Sequence, residues 1–124
     1  MSLSQFKSAY LTIEDCGNAV VARFTRNQLS EEENIEQIGQ ELLSLVDQYQ
    51  CRQVVLSLEL VEFITSAALG KIIMLHRRLH RKDGKLVVCS ARGPVADVLQ
   101  SSRLLDYFVM APDTQGALSL LAAS

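Results

Sequence analysis

The sequence predicts an α/β fold in which about four helices cover a mostly parallel central sheet. Two runs, residues 54–58 and 86–89, are apolar almost without interruption, as is typical of parallel strands covered on both faces. Amphipathic segments alternate with these runs, and this alternation requires parallel strands joined by right-handed crossovers. The 124 residues suffice for one domain with a single core, so we expect residues 1–124 to form one unit.

The N-terminal part of the chain predicts a β-hairpin followed by a helix. Residues 8–15 and 18–25 read as strands, and the Asp, Gly and Asn residues between them are typical of a tight turn. In the polar loop at residues 25–30, Ser30 and the later Glu33 match a capping box. The helix that follows is amphipathic, with an acidic outer side. Its apolar stripe comprises Ile35, Ile38, Leu42, Leu45, Val46 and Tyr49.

A second helix is predicted from Ser66 to Arg81, directly after the first buried strand. Asp83 and Gly84 end it, since glycine readily adopts the left-handed conformation that terminates helices. The side chains expected to be buried are Leu69, Ile72, Ile73, Leu79 and either Leu75 or His76.

The C-terminal part predicts two more helices and one more strand. Pro94 suits the first turn of a helix over residues 94–101, where its missing N–H is not needed. Residues 104–109 predict a short final strand, and residues 114–122 predict a small amphipathic helix. The expected order is therefore β-β-α-β-α-β-α-β-α.

Composition and charge argue against several functional classes. The chain is 48% hydrophobic and 21% charged, which is ordinary for a globular protein. No run approaches the roughly 18 to 20 apolar residues that span a bilayer, and the N-terminus lacks the pattern of a signal peptide. We therefore expect a cytoplasmic protein. A net charge of −2 and an aromatic content of 6% also argue against a nucleic-acid partner.

The chain contains no recognisable catalytic, metal or cofactor motif. His76 and His80 lie four residues apart, but no third ligand follows nearby. Ser66 lacks the Gly-x-Ser-x-Gly pattern of a hydrolase nucleophile, and there is no glycine-rich phosphate loop. We expect no enzyme activity, no metal and no cofactor. The cysteines are too widely spaced for a disulfide framework or a zinc site, and we expect free thiols at Cys16, Cys51 and Cys89.

Two adjacent hydroxyl residues, Thr65 and Ser66, separate the first buried strand from the second helix. In the structural interpretation, a hydroxyl caps the helix and contributes about 1 kcal/mol. In the functional interpretation, Ser66 is exposed and accepts a phosphoryl group, which adds about −1.5 to −2 charges. The helix dipole tolerates such a charge, whereas a partner packed against the helix would have to desolvate it. The residues alone leave both interpretations open.

Three segments together resemble the STAS domain of the anti-sigma factor antagonist (anti-anti-sigma) family. A strand that ends Ser-Leu-Glu at residues 57–59 leads to Phe-Ile-Thr-Ser-Ala-Ala-Leu-Gly at residues 63–70. Gly-Lys-Leu-Val-Val follows at residues 84–88, and residues 98–108 match the next helix and its exit. The resemblance covers residues 8–120, and it implies the STAS fold.

The resemblance also implies roles for individual residues. The family's phosphorylated serine falls on Ser66, the acidic or hydroxyl position before it on Thr65, and an acidic strand position on Ser57. The chain departs from the family pattern because Ser57 and Thr65 are hydroxyls and because Ala68 replaces the usual glycine. Thr65 is therefore an alternative phosphoacceptor.

The function implied is that of a non-enzymatic bacterial transcription regulator. Such a protein binds an anti-sigma factor with a GHKL-type serine kinase fold, is released by phosphorylation, and is restored by a phosphatase. The expected partner-binding residues are Arg26, Asn27, Gln28, Ser57, Thr65, Ser66, Ala67, Lys71 and Arg78. The alternative is a STAS module that binds a small molecule, lipid or nucleotide at the carboxyl edge of the sheet, or that serves as a scaffold or transport-complex subunit.

Overall fold

The computed structural model describes residues 8, 10–17, 19–29, 32–101 and 108–123. Within these ranges, strands and helices alternate along most of the chain. The strands are β1 (Leu11–Asp15), β2 (Val20–Phe24), β3 (Gln28–Leu29), β4 (Gln53–Ser57), β5 (Phe63–Ile64), β6 (Lys85–Cys89) and β7 (Val109–Ala111). The helices are α1 (Glu32–Asp47), α2 (Ser66–Arg81), α3 (Pro94–Ser101) and α4 (Thr114–Ala123).

The main sheet of the described chain has five strands in the order β1-β2-β4-β6-β7. The hairpin strands β1 and β2 are antiparallel, and every other neighbouring pair in this sheet is parallel. The mostly parallel sheet with an N-terminal hairpin is thus confirmed. Strand β4 lies at the centre, where its backbone is paired on both sides and both of its faces are covered.

Helices cover both faces of the sheet, which explains the uninterrupted apolar runs. In β4, Val54 and Leu56 face the larger core under α1 and α2, whereas Val55 faces the smaller core. The smaller core is closed by Ala117 and Leu121 of α4. Since neither face of the central strand meets water, Val54, Val55 and Leu56 are all apolar and show no alternation of apolar with polar residues.

The α2 helix has the predicted bounds, Ser66–Arg81. Of the two candidates for one buried position, Leu75 is completely buried and His76 is only partly so. The predicted ending was wrong in detail, because the residue with positive φ is Asp83 (φ 60°) and not Gly84. Gly84 is required for a different reason, since a Cβ atom there would lie 2.4 Å from the carbonyl oxygen of Arg52.

Two short strands were missed by the sequence analysis. Residues predicted to form a polar loop include β3, which pairs in parallel with β5 through Gln28–Phe63 and Leu29–Ile64. Two-residue strands carry no periodicity, so their pattern cannot be distinguished from that of a loop. Of the last strand predicted over residues 104–109, Val109 lies in β7, which occupies Val109–Ala111, and Phe108 precedes that strand. Residues 102–107, and the capping box that starts at Ser30, lie outside the described residues.

Helices α1 and α2 are joined by two ion pairs along their contact. The Lys71 ammonium lies 3.2 Å from a carboxylate oxygen of Glu36, and the Arg78 guanidinium donates to the Asp47 carboxylate. Gly39 of α1 permits the close approach, since a Cβ atom there would meet the Lys71 side chain at 2.7 Å. The two helices therefore form one packed layer.

Candidate functional site

The segment between β4 and α2 brings several predicted site residues together. The main-chain N–H groups of Glu62 and Phe63 both donate to the carbonyl oxygen of Asn27, at 2.7 and 3.1 Å. The N–H of Thr65 donates to the carbonyl oxygen of Leu29 at 3.1 Å. These bonds fix the polar loop at residues 26–28 beside the N-terminus of α2, although the two segments are distant in sequence.

Thr65, and not Ser66, is the N-cap of α2. Its backbone is extended, with φ −93° and ψ 166°, as an N-cap requires. Its hydroxyl oxygen accepts the N–H of Ala68 at 3.3 Å and donates to the Leu29 carbonyl oxygen at 3.3 Å. The Thr65 hydroxyl is thus engaged both with its own helix and with β3.

Ser66 is the first helical residue of α2, and its side chain is exposed. Among the described residues, none forms a hydrogen bond with the Ser66 hydroxyl. The adjacent Ala67 is also exposed. Ser66 therefore presents its hydroxyl to solvent at the positive end of a helix dipole, and its neighbour fulfils the capping role.

The loop at residues 26–28 lies beside this helix end and is exposed. The Arg26 guanidinium lies over the Tyr10 ring, 5.2 Å from its centroid, in a cation–π contact. Asn27 contributes its carbonyl oxygen to the bonds described above, and the Gln28 side chain is exposed in β3. The structure thus brings this loop to the predicted surface.

Lys71 and Arg78, two of the predicted partner-binding residues, direct their charged groups towards α1. Both side chains are partly buried, and both are paired with carboxylates of α1. Lys71 nevertheless borders an open groove of 630 Å³ between α1 and α2. The groove is lined by Ile35, Glu36, Thr65, Ala67, Gly70, Lys71 and Met74.

Ser57 lies inside the core, although the sequence analysis placed it on the partner surface. Its side chain is 1% exposed, and its hydroxyl oxygen accepts the N–H of Glu59 at 3.4 Å. The residue ends the central strand β4, where the side chain is covered on all sides. A partner therefore cannot reach the Ser57 hydroxyl in this fold, and Ser57 is removed from the predicted surface.

Exposed apolar side chains around this helix end were missed. Leu60 is 56% exposed, Phe63 49% and Met74 40%. Sequence alone gave no reason to expect Leu60 and Phe63 on the surface, because apolar side chains are usually buried. The backbone turns after Leu58, and in the same segment Val61 and Ile64 are buried while Leu60 and Phe63 are left outside the core.

The two histidines lie together in the C-terminal half of α2, where His80 is exposed and His76 is partly buried. Their ring centroids are 6.5 Å apart, and the His76 ring meets Phe108 edge-on at 5.8 Å. Burial, followed by the charges of His80 and Arg77, lowers the pKa of His76 below its ordinary value. No cluster of three His, Cys, Asp or Glu side chains within the described ranges could hold a metal ion.

Comparisons with known proteins assign the fold to a family. The model of the STAS domain family matches residues 12–117. BtrV of Bordetella bronchiseptica, named as an anti-sigma factor antagonist, is 33% identical over 84 residues, which are 68% of this chain and 72% of BtrV. The chain belongs to the STAS domain family, as its sequence motifs implied.

Solved structures show the same fold. An anti-sigma factor antagonist (STAS) domain protein from Planctomyces limnophilus superimposes with a TM-score of 0.77 at 24% identity, covering 95% of this chain and all of that one. SpoIIAA, an anti-sigma factor antagonist from Bacillus, in its phosphorylated form gives a TM-score of 0.68 at 20% identity, covering 90% of this chain and 98% of SpoIIAA. In the part of the chain that the structure describes, no helix is both long and apolar enough to cross a membrane.

Proposed function

We propose that this protein is an anti-sigma factor antagonist whose binding to an anti-sigma factor is ended by phosphorylation of Ser66. The observation that carries the proposal is that the two hydroxyl residues at the start of α2 have different roles. Thr65 caps the helix, while the Ser66 hydroxyl points to solvent without a partner among the described residues. A kinase can therefore modify Ser66 without dismantling the cap.

The relatives support the class of partner. BtrV and SpoIIAA both carry the name of anti-sigma factor antagonist, and SpoIIAA has been solved in unphosphorylated and phosphorylated forms. By analogy, the partner of this chain is an anti-sigma factor with a GHKL-type serine kinase fold. A phosphatase would restore the binding-competent form, and the regulated process is bacterial transcription in the cytoplasm. The protein itself catalyses no reaction in this proposal.

The physical effect of the modification follows from the surroundings of Ser66. A phosphoryl group adds about −1.5 to −2 charges. At the first residue of α2 the helix dipole stabilises that charge, so the fold is retained. The exposed Ala67 and Met74 mark the adjacent surface as one that a partner would cover with apolar groups. Covering a phosphate there would require its desolvation, and binding would be lost.

Ser66 is a better phosphoacceptor than Thr65 for a geometric reason. The Thr65 hydroxyl donates to Leu29 and accepts from Ala68, so its modification would break both bonds. The partner surface that we propose consists of the 26–28 loop, Thr65, Ser66, Ala67 and the groove that Lys71 borders. Arg78 lies farther along α2 and acts by holding α1 in place.

The alternative function, ligand binding at the carboxyl edge of the sheet, has one supporting feature. A hollow of 460 Å³ lies there, bordered by Ser90, Arg92 and Thr114 among others. However, the Arg92 guanidinium already donates to the carbonyl oxygen of Glu59 at 3.0 Å, and the Asp113 carboxylate accepts the N–H of Gly116 at 2.7 Å. With these groups engaged, the proposal based on Ser66 is the better supported.

The test compares four tagged proteins produced in the native host: wild type, Ser66→Ala, Ser66→Asp and Ser119→Asp. Ser119 is exposed on α4, on the opposite face of the sheet, so it introduces the same charge away from the proposed surface. Captured proteins are identified by mass spectrometry, and a captured kinase is then purified and given ATP with each variant. Phosphate incorporation is located by peptide mapping.

We expect a GHKL-type kinase to bind the wild type, Ser66→Ala and Ser119→Asp proteins and to be lost from Ser66→Asp. We also expect that kinase to phosphorylate the wild type and not Ser66→Ala. Equal capture by Ser66→Asp and Ser119→Asp would refute the switch. Phosphate found on Thr65 in the wild type would refute the assignment of the acceptor while leaving the class of partner intact.

A further inference from the structure

The two most exposed large apolar side chains of the described residues lie in one short segment. Leu60 is 56% exposed and Phe63 is 49% exposed, three residues apart between β4 and α2. An open hollow of 590 Å³ lies between this segment and the loop that leads into α3. We refer to residues 59–63 and 92–94 together as the 59–63 surface. Neither Leu60 nor Phe63 belongs to the partner surface assigned to Ser66 above.

The backbone of this surface is held by hydrogen bonds at both ends. The N–H of Leu58 donates to the carbonyl oxygen of Cys89 at 3.0 Å, and the N–H of Val61 donates to that of Leu58 at 3.0 Å, closing a turn. The Arg92 side chain donates to the carbonyl oxygen of Glu59 at 3.0 Å and joins the two loops. Exposed apolar groups on a backbone fixed in this way lose little conformational entropy on binding. Such a surface suits docking better than a mobile loop would.

Charge indicates what kind of partner the surface fits. Glu59 and Glu62 are exposed beside Leu60, and neither forms an ion pair with any residue that the structure describes. The hollow also contains one cation, Arg92, whose guanidinium is engaged with a main-chain oxygen. Two carboxylates against one guanidinium leave a net negative rim around apolar groups. Complementary charge favours a basic partner and disfavours an acidic one.

We propose that the 59–63 surface docks a basic amphipathic segment of a partner protein. An apolar side chain of that segment enters the hollow beside Leu60 and packs towards Phe63, while its Lys or Arg side chains face Glu59 and Glu62. The proposal needs no modification of Ser66 and no anti-sigma factor. The surface would therefore bind a partner whose affinity does not depend on Ser66 phosphorylation, or add a second contact to a partner whose affinity does.

The test uses a synthetic amphipathic helix of leucine and lysine as the probe and a matched helix in which glutamate replaces lysine. Each peptide is titrated into the full-length, isotope-labelled protein, and amide shifts in NMR spectra locate the site and give a Kd. Variants Leu60→Gln and Phe63→Gln remove the apolar contact. Leu120→Gln is the matched control, since Leu120 is 41% exposed on α4. Melting temperatures of all variants are compared with that of the wild type.

We expect the lysine peptide to shift amides of residues 59–63 and 92–94, and each of the first two variants to weaken its binding at least about tenfold. The control should bind as the wild type does, and charge reversal at Glu59 and Glu62 should make the glutamate peptide the better ligand. Equal binding of both peptides to the wild type, shifts confined to other surfaces, or no shift up to about 1 mM peptide would overturn the proposal. Self-association that Phe63→Gln abolishes in sedimentation experiments would overturn it in favour of a second copy of the chain. Since no anti-sigma factor is present, these outcomes do not depend on whether the Ser66 switch is correct.

Discussion

The adjacent hydroxyls Thr65 and Ser66 should contribute very differently to stability. Thr65→Ala removes the cap bond from Ala68 and the bond to the Leu29 carbonyl oxygen, both 3.3 Å long. A lost cap costs about 1 kcal/mol, and a lost neutral hydrogen bond about 0.5–1 kcal/mol at such a length. The expected loss is therefore about 1–2 kcal/mol, which corresponds to roughly 3–8 °C in melting temperature for a domain of this size.

Ser66→Ala should change stability by no more than about 0.5 kcal/mol, because its exposed hydroxyl contacts no described partner. Urea unfolding followed by circular dichroism measures both values, with Thr65→Ser as the control that keeps the hydroxyl and should recover most of the loss. Ser66→Asp should be as stable as the wild type or slightly more so, since a carboxylate at the first helical residue interacts favourably with the dipole. If Ser66→Ala destabilises the protein as much as Thr65→Ala does, Ser66 is a structural residue and the reasoning for its signalling role fails.

Three further results are expected. Gly84→Ala should destabilise the protein by about 2 kcal/mol or more in urea unfolding, because the added Cβ atom would collide with the main chain. The control Gly70→Ala should be neutral or stabilising, because a Cβ atom there meets open space within a helix. Equal effects of the two substitutions would refute this account. Alkylation with iodoacetamide, followed by mass spectrometry, should modify exposed Cys16 in the folded protein and buried Cys51 only after unfolding. Partial desolvation of Cys16 and burial of Cys51 raise the pKa of both thiols, so the difference in rate reports access. Comparable rates in the folded state would contradict the packing. His76 has a pKa lowered from its ordinary value of 6.5, chiefly by burial, so its unfolded form binds a proton first and stability should fall as the pH drops through about 6.5. An NMR titration that gives His76 a pKa at or above 6.5 would refute that prediction.

The chain belongs to the STAS domain family, but the residues before Ser66 do not all follow the pattern that the resemblance implied. The resemblance implied an acidic residue at position 57 and an acidic or hydroxyl residue at position 65, and both positions carry hydroxyls here. Ser57 is buried, and Thr65 caps α2. A kinase acting on Ser66 would therefore have to recognise it through other groups, and the exposed 26–28 loop is a polar surface that main-chain hydrogen bonds hold beside it.

Several features of the candidate site followed directly from sequence. The helix beginning at Ser66 was predicted with the observed bounds, because an apolar stripe and a hydroxyl pair at its start are local signals. Which hydroxyl caps the helix was not predictable, since either residue has the required chemistry. The ion pairs of Lys71 and Arg78 were not predictable either. Their partners, Glu36 and Asp47, lie more than 30 residues earlier, and only the packing of α1 against α2 brings them together.

The sequence by itself determined the elements whose signals lie within a few residues. The central strands could be predicted because their covering on both faces demands continuous apolar runs, and the helices because their stripes repeat every three or four residues. Tertiary structure alone decided the β3–β5 pairing, the closeness of Gly84 to the main chain of Arg52, and the exposure of Leu60 and Phe63. Each of these depends on contacts between distant segments, whose distances a local pattern does not contain.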